Sequence, residues 1–243
     1  MSNQAAIWQT NKLTQTYLSG VRGAMPFANE QIDVMQRLIV AACLAVETIL
    51  DLGCGDGILG QAILDQHPDA HCVFVDFSKP MLTAAKERLS AYKNCTFIQA
   101  DYGKKGWQDS FTIHNSFDVI ISGFSIHHQQ DGRKKEVYAE LYDLLKSGGI
   151  FLNLEHVKSA TPWVGEQFDE FFIDHLFAYA QKEQMGKSRD EVAQEFYYRP
   201  DKAANILAPV DEQCAWLREI GFDDVDCFLK IFELALFGGV KSK

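Results

Sequence analysis

Apolar positions recur at helical spacing from the start of the chain: Ile7, Leu13 and Tyr17, then Ile32, Met35 and Ile39. Steps of three and four mark one face of a helix. Gly20, Gly23 and Pro26 divide the stretch to residue 46 into two helices. From residue 48 the pattern changes. Short apolar runs at 48–50, 72–75, 95–99, 117–122 and 150–154 alternate with helical stretches: around Leu59, Ile63 and Leu64, over 79–92, and over 133–146. Continuous short strands separated by helices predict a parallel sheet covered on both faces, with right-handed crossovers. After Glu155 the alternation stops. Residues 161–210 read as a helical, aromatic-rich insert, and 211–220 as a helix stopped by Gly221. The runs 225–231 and 234–240 lie close enough to pair antiparallel.

Length adds that 243 residues suit one α/β domain. The pattern divides residues 1–243 into a helical cap (1–46), a core (47–160), a lid insert (161–210) and a last helix with a β-hairpin (211–243). The 23 Lys and Arg against 33 Asp and Glu leave a net charge of −10, which argues against a broad phosphate-binding face and a nucleic-acid partner. No basic, apolar leader precedes the first helix, and no apolar run reaches the ~18 residues of a membrane span. The 6 cysteines form no C-x-x-C pair and read as free thiols of a cytoplasmic protein.

The chemistry concentrates in Asp51-Leu52-Gly53-Cys54-Gly55-Asp56-Gly57, which follows a predicted strand and opens a helix. Ligands of doubly wound sheets sit at the carboxyl ends of the strands, and glycines there let the backbone approach them. The spacing is G-x-G-x-G, with Ile58 departing from the dinucleotide fingerprint, and no Lys-Ser/Thr follows. This disfavours an NAD-linked oxidoreductase and excludes a Walker A loop. A carboxylate at Asp51 suits a cationic or hydroxyl-bearing ligand better than a pyrophosphate. Asp76 ends the next strand, where an acid can bind ribose hydroxyls, and Asp101 ends the third. One strand-end aspartate alone also serves as a helix cap or turn former. Three beside a glycine loop form a constellation.

With ILDLGCGDG, VFVDFSKPML, FIQADY, FDVIISGFSIHH and LKSGGIFLNLEHV in this order, the stretch from Ile49 to His156 resembles the core of the class I S-adenosylmethionine-dependent methyltransferases, in their type 11/12-like small-molecule branch. The final FDDVDCFLKIFELALFGGVK resembles that family's last strands. The resemblance implies a Rossmann-like doubly wound seven-stranded sheet of order 3-2-1-4-5-7-6 with strand 7 antiparallel. It implies S-adenosyl-L-methionine as cofactor and S-adenosyl-L-homocysteine as product. Carried over by position, Asp51, Gly53, Cys54 and Gly55 would hold the methionine moiety and Asp76 the ribose. Phe77 and Met81 would pack beside adenine or ribose, Asp101 and Tyr102 would meet the adenine, and Gly123 and Phe124 would face the sulfonium. Cys54 reads as small and buried rather than nucleophilic, since no basic neighbour lowers its pKa.

His127 lies where an acceptor atom should sit. A base role and a packed, hydrogen-bonded role are both open for it, and less is expected of His128. No metal site is expected. Arg22 and Phe27 in the segment 20–30, with His128, Tyr198 and Arg199, are candidate acceptor contacts. The insert reads as a lid over an apolar pocket or as the face of a homodimer, and a monomer is equally open. The resulting expectation is methyl transfer by in-line displacement to a small-molecule acceptor. One alternative resembles the enzymes that carboxymethylate the wobble uridine of tRNA with carboxy-S-adenosylmethionine, although Gly123 stands where a polar residue belongs in that group. A non-catalytic nucleotide-binding regulator is the other.

Overall fold

A computed structural model describes residues 14, 16, 21, 23–111, 116–199, 202 and 204–243. The first of the expected N-terminal helices falls largely outside them, as does Arg22. The second is α1 (Ala28–Ala42). Five strands then alternate with helices: β1 (Thr48–Leu52), α2 (Ile58–Gln66), β2 (His71–Asp76), α3 (Lys79–Arg88), β3 (Cys95–Gln99), β4 (Phe117–Gly123), α4 (Asp131–Leu144) and β5 (Leu145–His156). The chain continues through α5 (Pro162–Lys182), the single turn α6 (Arg189–Val192), a π-turn over Ala193–Tyr197, α7 (Val210–Ile220), β6 (Asp223–Ile231) and β7 (Leu234–Val240).

The seven strands form one sheet of order β3-β2-β1-β4-β5-β7-β6. Strands β1 to β5 are parallel, and β7 runs antiparallel to both β5 and β6. The order expected from the family resemblance is the order observed. Two boundaries differ from the sequence reading. The helix expected over 133–146 ends at Leu144, because Leu145 already pairs with Phe117 in the ladder. The helix expected to reach residue 92 stops at Arg88, and Tyr92 closes a turn onto the Leu89 carbonyl.

Strand alternation assigns each β1 side chain to a face. Leu50 and Leu52 pack with Val73, Val75, Ile120 and Phe151 against Tyr138 and Leu141 of α4 and Leu217 of α7. Ile49 packs with Phe74, Val119 and Ile121 against Met35 and Ile39 of α1, Leu59 and Ile63 of α2, and Leu82 of α3. A third cluster joins Val21 and Ala24 to Phe168, Phe172, Leu176, Phe196 and Tyr197 of the insert. Phe124, at the end of β4, packs against both the second and the third cluster, so it links sheet and lid.

The β1–α2 turn carries the tightest packing. Gly53, Gly55 and Gly57 all adopt positive φ, which side chains rarely accept. A Cβ on Gly60 would overlap the Phe74 ring and press on the Asp51 carboxylate. Overpacking of this kind costs ~1–3 kcal/mol. Gly60→Ala is expected to destabilise the fold by that amount in urea denaturation, and adding Phe74→Leu to it should recover part of the loss.

Candidate active site

The carboxyl ends of the parallel strands open into a cavity roofed by the insert. Its floor is built from Gly53, Gly55, Asp76, Met81, Gly123 and Ser125. The roof is aromatic, with Phe168, Phe172, Phe196 and Tyr197, and Arg199 and Lys202 enter it from the end of the insert.

Asp76 ties the floor together. Its Oδ2 accepts the Gly55 amide at 2.9 Å and its Oδ1 accepts the Ser78 amide at 2.7 Å. Ser78 in turn caps α3 by accepting the Met81 amide, and Pro80 follows in the first turn, where a missing N–H costs nothing. Burial pushes the Asp76 carboxyl up to about 6, while bonds from Ser78, Gly55 and Phe77 pull it down. Ser125 presses on the glycine loop: a Cβ at Gly53 would overlap its hydroxyl. The Ser125 Oγ also lies 2.6 Å from the Tyr102 hydroxyl, so strands β3 and β4 are braced beneath the loop.

Of the residues singled out in the sequence, Gly53, Gly55, Asp76, Phe77, Met81, Gly123, Phe124, His127, His128 and Arg199 line this cavity. Asp51, Cys54, Asp101, Tyr102, Phe27 and Tyr198 are not among its lining residues. Asp51 is 1% exposed and its Oδ2 accepts the Gly60 amide at 3.0 Å, so it anchors the start of α2 behind the loop. Cys54 is buried, and burial with the nearby Asp76 and Asp51 carboxylates pushes its thiol well up, away from nucleophilic use. Asp101 accepts the Gly103 amide and pairs with Lys104 at 3.4 Å. Tyr102 lies under the floor. Phe27 stacks on Phe171 on the outer side of the insert, and Tyr198 is 49% exposed. The aromatic insert divides accordingly: Phe168, Phe172, Phe196 and Tyr197 are buried, while Trp163 is 67% exposed.

Phe124 holds φ at 49°, a strained value for a bulky residue of the kind that clusters at functional sites. Its amide donates to the Leu154 carbonyl, which fixes the β4–β5 strand ends where the cavity begins.

The histidines are paired with carboxylates. His127 Nδ1 lies 2.5 Å from Glu155 Oε1, and its own amide donates to Glu155 Oε2 at 3.0 Å. Burial raises the Glu155 carboxyl to about 7, against the lowering effect of the His156 amide bond and the neighbouring histidines. His156 Nε2 lies 2.7 Å from Glu233 Oε2. Sequence reasoning missed Ser125, His156, Lys202 and Asn205 as cavity residues. His156 could have been found as the residue ending the fifth strand; Lys202 and Asn205 sit in an irregular stretch with no periodic signal. Among the described residues, no three His, Cys, Asp or Glu side chains form a metal-ligating group. None of the described helices is long and apolar enough to cross a membrane.

The floor suits a cationic, ribose-bearing nucleoside. Open space beside Gly55, positive φ at Gly53 and Gly55, and a buried acid ending β2 make a cradle that side chains would fill. Comparisons with known proteins agree. Residues 49–149 match the family described as methyltransferase domain. A carboxy-S-adenosyl-L-methionine synthase of Helicobacter pylori is 25% identical over 197 residues, 80% of this chain and 75% of that protein. A demethylmenaquinone methyltransferase of Leptospira interrogans is 32% identical over 125 residues, 51% of this chain and 49% of that protein. The CurJ carbon methyltransferase structure superposes with a TM-score of 0.65 at 17% identity, covering 97% of this chain and 59% of that one. The matched domain, the relatives and the sheet order together support an S-adenosylmethionine-dependent methyltransferase.

A carboxyl whose folded pKa is raised adds stability while protonated, and that contribution is lost as pH rises through the folded value. For Asp76 it is fully present below about 3.8 and gone above about 6. The stability difference between wild type and Asp76→Asn is therefore expected to shift against wild type by on the order of 3 kcal/mol between pH 3.5 and 7, as followed by urea denaturation.

Proposed function

We propose that this enzyme methylates a small-molecule acceptor with an apolar body and an anionic group. One observation carries the reading: a single cavity runs from the glycine-loop floor to a roof of Phe168, Phe172 and Phe196 that also holds Arg199 and Lys202. Asp76 is the one carboxylate among its described lining residues, and it belongs to the floor. The cofactor half is thus acidic and the acceptor half cationic, within a chain of net charge −10.

The residues divide the work. Gly53 and Gly55 would admit the cofactor's methionine part, Asp76 would accept its ribose hydroxyls, and Met81 with Phe77 would pack beside its rings. Gly123 and Phe124 would border the transferred methyl. When bound, S-adenosylmethionine supplies an activated methyl on sulfur, so the chain's remaining task is orientation and exclusion of water, for which good alignment is worth ~7–11 kcal/mol. The roof supplies the exclusion. Arg199 is set for a carboxylate by its Nη1, which donates to the Phe196 carbonyl at 2.6 Å. Lys202 lies 3.3 Å from the centre of the Tyr197 ring and 3.6 Å from Asp169. Burial pulls the Lys202 ammonium below its ordinary pKa, opposed by Asp169. An anion from the acceptor would offset that burial.

The same two cations favour a second reading, in which the anionic group sits on the cofactor. The name of the Helicobacter relative, a carboxy-S-adenosyl-L-methionine synthase, supports it. Mass spectrometry of the ligand that copurifies separates the two: S-adenosylmethionine or S-adenosylhomocysteine supports the first, and carboxy-S-adenosylmethionine the second. Bound NAD would overturn both. An acceptor screen against apolar carboxylates and their neutral amides follows.

Gly53→Val is expected to weaken S-adenosylhomocysteine binding by about 100-fold or more in calorimetry, because its side chain would strain a positive φ and displace Ser125. Wild-type affinity in that variant would sink the floor assignment. Arg199→Gln should raise KM for a carboxylate acceptor roughly 10- to 100-fold, as expected for a charged hydrogen bond, and leave its amide unaffected.

A further inference from the structure

We infer that His156, oriented by Glu233, is the general base that takes the proton from the acceptor, in preference to His127. This rests on the proposed methyl transfer and adds the group that enables a protonated acceptor to react.

Three imidazoles border the cavity, His127, His128 and His156, and their surroundings differ. The His127 Nδ1 is held by Glu155, and the same carboxylate also receives the amides of His127 and His156. Glu155 is therefore committed to fixing the ends of β4 and β5, in a fully buried position. His156 has a different arrangement. Its Nε2 faces Glu233 at 2.7 Å, and Glu233 comes from the turn between β6 and β7, outside the strand-end cluster. A carboxylate accepts, so Nε2 carries the proton and Nδ1 keeps its lone pair. Nδ1 is 3.5 Å from Asn205 Nδ2, the outer limit of a hydrogen bond. Asn205 also lines the cavity. A contact that weak is readily exchanged for the X–H of an acceptor. The Nε2–H tautomer is the one a base needs, with its lone pair on the side of a second cavity residue.

The counter-charges support the same choice. Burial pushes the Glu233 carboxyl up, but bonds from His156 and Ser159 outweigh it and hold the group below its ordinary value. Glu233 is ionised at neutral pH and can stabilise an imidazolium. Glu155, by contrast, is pushed up by burial, to about 7. The groups that bear on the His156 charge are Glu233 from the hairpin, Glu155 next to it in β5, the His127 ring at 5.8 Å, and Lys202, which acts on it through Glu233. On the lid side Phe168 packs against the ring at 5.4 Å and keeps water from it.

The proton balance is simple. As the acceptor's X–H bond breaks, its proton passes to His156 Nδ1 and its electron pair forms the bond to the methyl carbon. The pair of the broken C–S bond remains on sulfur, and the imidazolium later releases its proton to solvent.

The test uses the full chain with S-adenosylhomocysteine bound. Long-range ¹⁵N imidazole spectra between pH 5 and 9, assigned with His156→Asn, should show Nε2 protonated and Nδ1 unprotonated above neutral pH. Glu233→Gln should lose this single tautomer and give spectra of mixed Nε2–H and Nδ1–H forms. An Nδ1–H tautomer in the wild type, or an unchanged Nε2–H spectrum in Glu233→Gln, would overturn the assignment. With an acceptor from the screen, His156→Asn should lower kcat about 100-fold at unchanged S-adenosylhomocysteine affinity, with a smaller loss for His127→Asn; the reverse order would also overturn it. If S-adenosylhomocysteine binds but no acceptor is methylated, the proposed function falls while the spectra still decide the state of His156.

Discussion

A carboxylate buried at the end of β2 links the two loops on which a cofactor can rest. Asp76 receives amides from the glycine loop on one side and from the cap of α3 on the other. Burying a charge is costly unless it is hydrogen-bonded, and the raised pKa of about 6 records the part of the cost that the amides of Ser78, Gly55 and Phe77 leave unmet. The glycine loop that brings the Gly55 amide to Asp76 is closely packed: a Cβ at Gly53 would overlap Ser125, and one at Gly60 would overlap Phe74.

The cavity's one described carboxylate, Asp76, lies in the floor and its cations, Arg199 and Lys202, in the roof, and the fold separates them by origin. The floor comes from strand ends β1, β2 and β4, packed on both faces by helices. The roof comes from an insert with its own apolar cluster, tied to the sheet through Phe124. The insert can vary its lining without disturbing the cofactor loops.

Much of the site was legible in the order of the residues. Glycine spacing and the acids at the ends of strands one and two follow from local rules, and Gly53, Gly55 and Asp76 lie in the floor where those rules put them. Asp51 shows where the rules stop. It ends its strand as Asp76 does, yet strand alternation turns it to the α2 face, where it binds the Gly60 amide. Asp101 likewise closes its own turn onto Gly103. In the insert, helical spacing identified an aromatic face but not which rings would be covered. Phe27 and Tyr198 resemble Phe172 and Tyr197 in sequence and differ from them in what they pack against.

From the sequence alone come the alternation of strands and helices and the glycine loop, because each depends on periodicity or on neighbours within a few positions; the enzyme class came from the resemblance its motifs carry. The tertiary structure alone decided the polar pairings that govern reactivity. His156 and Glu233 are 77 residues apart, and His127 meets Glu155 only because β4 and β5 lie side by side in register. Nothing local distinguishes a carboxylate held below its ordinary pKa beside an imidazole from one that burial pushes up. That difference arises from how deeply each is covered and from which amides reach it, and both are properties of the assembled fold.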